Sequence, residues 1–510
     1  MKYNNYYNFK NPIRHFINID DLDYPADVAT VGTKILSWTS PIPFRVRKEL
    51  NSFRTLKLPN VLMFAASYEK FKNNSFFNDI TKMDPGHKRL VANPNIGEFG
   101  IGSFERCLEN DYRMLCIYDV LIKLDIKEFY GRLYTHKLQY ENVDEHFLTN
   151  LNDGATNGLI MGNYISLYFA EQQLAELSNI IQSEIKGKEI RCEFTYFSDD
   201  FYFFCNQHDR EDIIAIFDRA LERFGLERND KKVETWEYST YNDYNVVERY
   251  WKKIISECKL PRYPAKNKRL IFINQLIYRS SRLTDFKQKR TLVTGFFKTS
   301  YFRTETDLRE YAFKPYDLNQ LCFLMREYPE LLLYAADKLH DVNNFKKENF
   351  AKFFDIRYEE ILKQPYQEEQ LYFYYVMKLW GLSNILRRKK ELVLKSENQV
   401  LISYYLLNGW FSKKQIDELK LEKNEDKWFQ SYHLILCDNS LRSNLDTSID
   451  LYLIPEAAKQ NARAYFKEFY KTNITNEKSM LRDVKDVCGE IHDYLDIRFN
   501  EGMRLYGISV

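Results

Sequence analysis

The stretch FTYFSDDFYFFC, residues 194–205, decides the fold. Two aromatic, strand-prone runs flank Ser198, Asp199 and Asp200, the patterning of a β-hairpin with adjacent acids at its bend. A bare Asp-Asp more often marks a solvated turn, because aspartate favours turns. Here the neighbours are so apolar that the two carboxylates lose hydration while repelling each other, so they need positive charge nearby to stay ionised. A divalent cation is the simplest source. Oxygen-only ligands suit Mg²⁺, or Mn²⁺ in its place, which is held by one or two carboxylates plus substrate phosphates.

Upstream, LIKLDIK at 121–127 sets Ile122, Leu124 and Ile126 against Lys123, Asp125 and Lys127. That alternation is a strand with one apolar face and, on the other, a carboxylate among cations. If this strand lies beside the hairpin, Asp125 and Asp199 can share two ions roughly 3.5 to 4 Å apart, the arrangement of two-metal phosphoryl transfer. Around these segments, short β-branched or aromatic runs alternate with helical stretches, as in an α+β domain.

Four motifs stand in order. LDIKEFYGRLYTH (124–136), NGLIMGNYISLYFAEQQL (157–174), FSDD (197–200) and GLERNDKKVE (225–234) resemble successive palm motifs of bacterial reverse transcriptases. The resemblance implies Asp125, Asp199 and Asp200 as metal ligands and catalytic residues, with Asp200 auxiliary. It implies Tyr130 as the ring that excludes a ribose 2′-hydroxyl, and Gly158, Gly162 and Ser166 as the glycine-spaced, substrate-binding motif. Asn229 and Lys232 match the Asn-x-x-Lys that follows, and Lys232 is the candidate to neutralise or protonate the leaving pyrophosphate. Gly154, Gly158 and Gly162 would let backbone approach substrate or primer closely, although a flexible loop into a helix has the same composition.

Before the palm, FRVRKELNSFRTLKLPN (44–60) carries Arg45, Arg47, Lys48, Arg54 and Lys57 on a strand-like segment that resembles polymerase fingers. Arg54 and Lys57 are the candidates for the incoming triphosphate. Between Arg262 and Arg303 lie 11 Lys or Arg against one acid, Asp285, interleaved with Tyr263, Phe272, Tyr278, Phe286, Phe296 and Phe297. Cations with aromatic platforms are what single-stranded nucleic acid requires, and a solvated helix face or a subunit contact is the plainer reading.

The last 210 residues hold 5 of 17 glycines and 4 of 13 prolines, which predicts an almost wholly helical region. Phe350, Phe353, Phe354, Tyr358, Ile361 and Leu362 recur at helical spacing, as do Leu481, Val484, Val487, Ile491 and Leu495. The expected architecture is therefore an α+β polymerase right hand followed by an all-α domain. Residues 1–110 would hold the N-terminal segment and fingers, 111–258 the palm, and 259–510 a basic connection and the helical domain.

Across 510 residues, 74 Lys and Arg against 72 Asp and Glu leave a net charge of +2, which excludes a histone-like or tail-driven nucleic-acid binder. Apolar residues at 45% exclude a disordered chain, and no apolar run approaches the roughly 20 residues of a membrane span. The first twenty residues contain no secretion signal, so the expected location is cytoplasmic and no membrane partner is expected. The 8 cysteines include no C-x-x-C pair, and the histidines no zinc spacing.

A palm followed by a long helical region is similar to the abortive-infection (Abi) reverse transcriptases of prophages. That resemblance implies antiphage defence, a HEAT-like helical domain, a homo-oligomer (trimer or hexamer), and template-independent DNA synthesis from dNTPs. The product would be single-stranded DNA primed by a tyrosine hydroxyl. Tyr3, Tyr6 and Tyr7 stand near the N-terminus, where a mobile hydroxyl is expected. A templated RNA-directed polymerase and a catalytically silent nucleic-acid-binding scaffold are the alternatives.

Overall fold

The computed structural model describes residues 3–49, 51–91, 103–245, 265–298, 315–340 and 346–505. The N-terminal segment runs through a short helix, α1 (Asn11–Phe16), and is docked rather than free. Tyr3 and Tyr7 are each 1% exposed. The Tyr3 hydroxyl donates to Glu69 Oε1 at 3.1 Å and that of Tyr7 to the Pro59 carbonyl at 2.7 Å. Ile17 then forms a β-bridge with Leu481 at the far end of the chain. Burying a large ring stabilises by roughly 2 to 3 kcal/mol once its hydroxyl has a partner, which outweighs the freedom expected of a terminus. Tyr3 and Tyr7 are thus core residues, and Tyr6 is half-buried against the same core.

Strands β1 (Ile42–Glu49) and β2 (Ser52–Leu58) form an antiparallel hairpin, with Ile42 facing Leu58 and Arg47 facing Phe53. Helix α2 (Val61–Phe71) follows, capped by Asn60 Oδ1, which accepts from the amides of Leu62 at 3.1 Å and Met63 at 3.4 Å.

Four further strands build the central sheet: β3 (Val120–Asp125), β4 (Cys192–Phe197), β5 (Asp200–Cys205) and β6 (Glu234–Trp236), in the order β4-β5-β3-β6, all neighbours antiparallel. The hairpin read from FTYFSDDFYFFC is β4–β5: Phe197 faces Asp200, leaving Ser198 and Asp199 as a two-residue turn. Ser198 takes φ 53°, the left-handed conformation that matches such a turn to the twist of its strands.

Facing residues of an antiparallel pair project to the same side. Ile122, Leu124, Phe201 and Phe203 therefore line one face, with Phe194 and Tyr196 from β4. They pack beneath helices α3 (Tyr164–Gly187) and α4 (Arg210–Glu222), where the Phe217 ring lies 5.2 Å from Phe201 and 5.8 Å from Phe203. The opposite face starts apolar, with Leu121 and Phe204 against Leu108, Met114 and Tyr241. Two residues further along it carries Lys123 and Tyr202, and then Asp125 and Asp200. One row of side chains thus passes from core to charge within a single strand length.

Every named element between residues 315 and 505 is helical, as the scarcity of glycine and proline predicts. The stripes are packing faces: Phe350, Phe354, Tyr358 and Ile361 are buried, as are Val484, Val487, Ile491 and Leu495. Helix α5 (Phe286–Lys298) precedes this region, which includes α6 (Leu331–His340), α7 (Gln367–Leu379) and α8 (Val484–Leu505). Helix α7 is buried all round, and its first residues close the edge of β1. The Arg45 amide donates to Gln367 Oε1 at 2.8 Å and the Arg47 amide to Glu368 Oε1 at 2.5 Å. An exposed strand edge is here satisfied by side chains instead of another strand. Cys107, Cys116, Cys192, Cys205, Cys322 and Cys437 are free thiols, and no described helix is long and apolar enough to cross a membrane.

Candidate active site

The sheet register does what the motifs required of it. Asp125 ends β3 directly opposite Asp200, which starts β5, and Asp199 occupies the adjoining turn. The Ile126 amide donates to the Asp199 carbonyl at 2.9 Å, locking the turn to the end of β3. Segments far apart in sequence are thus joined by ladder hydrogen bonds.

Asp125 is 2% exposed, and a charge so buried must be met. Asn229 donates twice, from its backbone amide to the Asp125 carbonyl at 2.8 Å and from Nδ2 to Oδ1 at 2.9 Å. Lys232 Nζ lies 2.5 Å from Oδ2. The Asn-x-x-Lys segment therefore clamps the first aspartate. Asp200 is answered by Lys123, whose Nζ stands 3.2 Å from Oδ2. Burial raises the Asp200 carboxyl above the usual carboxylate range; Lys123 pulls it back, while Asp199 and Asp125 push it up again.

Asp125 and Asp199 line a cleft of about 900 Å³ together with Tyr130, Met161, Asn229 and Lys232. Asp200 is set behind it. Across the cleft, the β1–β2 hairpin contributes Lys48, Phe53 and Arg54. Arg228 is committed to Asp218 and Asp230, each at 2.8 Å, and Arg132 to Glu227 at 2.8 Å. Lys48, Arg54 and Lys231 have no carboxylate partner among the described residues, so their charge is directed at whatever enters the cleft.

Tyr130 reaches the same cleft because the Leu159 amide donates to its carbonyl at 2.8 Å and the Gly158 amide to that of Leu133 at 2.9 Å. A Cβ on Gly158, at φ +89°, would stand 3.1 Å from the Gly131 carbonyl oxygen. This glycine brings backbone against backbone. Burial, then the charges of Glu171 and Asp199, holds the Tyr130 hydroxyl far above the ordinary tyrosine range, so it stays protonated and available to donate.

Three substrate candidates lie elsewhere. Lys57 donates to Asn152 Oδ1 at 2.9 Å, away from the cleft. Lys48, at the end of β1, is the hairpin lysine that reaches the cleft. Gly162 packs on the N-terminal segment, its carbonyl accepting from the Phe9 amide at 2.8 Å. Ser166 is 1% exposed in the first turn of α3, its amide bonded to the cap residue Asn163 at 2.9 Å. Both residues shape the fold around the cleft without lining it.

The basic segment is only partly described: Arg262, Tyr263 and Arg303 lie outside the described residues, as does the boundary at 258. Where it is described, Phe296 and Phe297 are core residues, and Arg290 and Lys298 both hold Glu330, at 2.7 and 3.5 Å. These four are therefore packing and ion-pairing groups and no stacking platform. Tyr278 remains exposed, beneath the Arg282 guanidinium at 4.5 Å.

Among the described residues no group of three or more His, Cys, Asp or Glu side chains stands at metal-holding spacing. Asp125 and Asp199, two of the carboxylates that line the cleft, are nonetheless the kind of donor set that magnesium takes when substrate phosphates complete its shell.

No family model matches the chain, and no curated protein matches it. Among solved structures, a telomerase from Candida tropicalis in complex with a TWJ fragment of telomeric RNA is similar at 13% identity and TM-score 0.30, over 67% of this chain and 65% of that one. The corresponding telomerase from Candida albicans has 12% identity, TM-score 0.27 and coverages of 69% and 64%. A structure described as an RdRp complex has 11% identity and TM-score 0.25, over 90% of this chain and 44% of that one. The chain thus spans less than two thirds of each of these proteins.

Proposed function

We propose that the chain is a reverse transcriptase-type DNA polymerase that adds deoxynucleotides by two-metal phosphoryl transfer, without a template and from a protein hydroxyl, in abortive infection of phage-infected cells. The observation that carries the chemistry is the register of β3 on β5, with Asp125 and Asp199 facing one cleft opposite Arg54 and Lys48. The resemblance of a palm followed by a long helical region to the abortive-infection reverse transcriptases supports the biological role. On this reading residues 1–110, 111–258 and 259–510 serve as fingers, palm and connection with HEAT-like domain, in a trimer or hexamer.

Asp125 and Asp199 would hold Mg²⁺ or Mn²⁺, with Asp200 as auxiliary. When bound, the metals lower the pKa of the attacking hydroxyl and stabilise charge on the departing pyrophosphate. The chain's own groups do the rest. Arg54 and Lys48 bind the triphosphate, Tyr130 stands where a 2′-hydroxyl would clash, and Lys232, once released from Asp125, offers a proton to the leaving group. Tyr3 and Tyr7 are unavailable as primers because their hydroxyls are bonded in the core.

Purified protein is expected to incorporate labelled dNTPs in Mg²⁺ without added template, and Asp199→Ala to reduce this to background. Incorporation unchanged in that variant sinks the site. Mass spectrometry of the isolated protein should find covalently attached nucleotides. A silent scaffold has one observation in its favour, that Lys232 and Lys123 already neutralise Asp125 and Asp200. It predicts oligonucleotide binding with no dNTP turnover in either metal.

A further inference from the structure

One ring in the cleft has no part in the chemistry described so far. Of the large apolar residues lining the cleft, Ile126, Phe129 and Leu226 are buried, and Tyr130 and Met161 are half-buried. Among the described residues Phe53 alone is exposed there, at 46%. A lone exposed ring on an open surface needs no explanation. This ring lines the same cleft as Asp125 and Asp199, next in the chain to Arg54 and with Lys48 also in the lining.

Phe53 is held in place. It faces Arg47 across the β1–β2 ladder, and the Arg45 guanidinium carbon lies 5.7 Å from the centroid of its ring. Strand β1 is anchored in turn, the Arg45 amide donating to Gln367 Oε1 at 2.8 Å. A ring on a supported hairpin loses little freedom when a ligand covers it. Reading the edge of a base takes neutral donors and acceptors, and these are scarce here. The one side-chain amide among the described lining residues, Asn229, is engaged by Asp125 at 2.9 Å, and the lining holds no Ser, Thr, Gln or His. A flat apolar face beside cations is what the cleft offers a base.

We propose that the base of the incoming nucleotide stacks on Phe53 while Arg54 and Lys48 take its phosphates, so that the cleft prefers purine to pyrimidine nucleotides. Stacking grows with the ring area shared, and the fused rings of a purine cover more of a phenyl face than the single ring of a pyrimidine. That the ligand is a deoxynucleoside triphosphate rests on the polymerase reading; that its base lies on Phe53 rests on the place of the ring in the cleft.

The test is calorimetric titration of the full chain, in magnesium, with the α,β-imido analogues of dATP and dCTP, whose α–β bridge is not cleaved. The wild type is expected to bind the adenine analogue severalfold more tightly than the cytosine one. Phe53→Leu keeps apolar bulk without a π face, and should weaken the adenine analogue by roughly fivefold, the lower end for one base on one aromatic ring, and bring the two affinities together. Phe53→Tyr should keep both the affinity and the preference. Inorganic tripolyphosphate, which has no base, should bind the wild type and Phe53→Leu alike. Unchanged adenine-analogue affinity in Phe53→Leu overturns the stacking role, and so does an equal loss for tripolyphosphate, which would mean that the ring acts through Arg54. A wild type that shows the stated affinities but incorporates no deoxynucleotide sinks the polymerase reading and leaves Phe53 its role. Incorporation that keeps its purine preference in Phe53→Leu does the reverse.

Discussion

A carboxylate that is 2% exposed, held by one amide side chain and one ammonium, makes Asp125 the most dependent residue of the site. Its ion pair with Lys232 has one buried and one half-exposed partner. Lys232→Met should therefore destabilise the fold by about 1 to 3 kcal/mol, the range for stranding a buried polar group. Adding Asp125→Asn, which removes the charge, should restore most of that loss. Urea denaturation of the two variants and the double variant reads the cycle; a double variant as unstable as Lys232→Met would mean that the lysine acts through packing. Asn229→Ala removes a hydrogen bond but no charge, so a smaller loss of roughly 1 to 2 kcal/mol is expected in the same measurement.

Among the elements, the loop of Gly158 sets where Tyr130 stands. Gly158→Ala forces a Cβ into a left-handed backbone position and to 3.1 Å from the Gly131 carbonyl. A cost of about 1 to 3 kcal/mol is expected, and with it a displaced Tyr130, read as reduced discrimination against rNTPs in the incorporation assay. Stability loss without a change in sugar preference would detach the loop from that role. Helix α2 offers a control remote from the cleft. Asn60 caps it and also donates through Nδ2 to the Tyr470 hydroxyl at 2.6 Å, so Asn60→Ala should cost about 1 to 2 kcal/mol in urea denaturation and leave incorporation intact.

At the scale of the whole molecule, the β1–β2 hairpin leans on the helical region through buried acids. Burial pushes Glu368 up to about 8, with the neighbouring Glu369 charge adding to it, and pushes Glu369 up to about 7 against the pull of Arg47. Both folded values exceed the ordinary glutamate value of 4.5, so the native chain keeps protons that the unfolded chain has released. Their stabilising contribution is complete below pH 4.5 and is lost as pH rises toward 8, by at most about 1.4 kcal/mol per group and pH unit. Glu368→Gln keeps an acceptor for the Arg47 amide without the charge. Its urea midpoint should exceed that of the wild type at pH 8 and converge with it in acid; equal midpoints at both would show that Glu368 is not the protonated group.

By itself the amino-acid sequence determined the local patterns and the order of the chemistry. The hairpin about Asp199 and Asp200, the strand under Asp125 and the helical C-terminal region all follow from side-chain period and from turn and breaker residues, which act over a few positions. Only the tertiary structure decided which of the local possibilities served the cleft. It turned Lys48 and Arg54 inward and Lys57 away, committed Arg290 and Lys298 to Glu330, and packed Tyr3 and Tyr7 into the core. The reason is range. A strand or helix period is written in neighbours, whereas the partner that claims a cation or buries a tyrosine can stand hundreds of residues away, as Ile17 and Leu481 do.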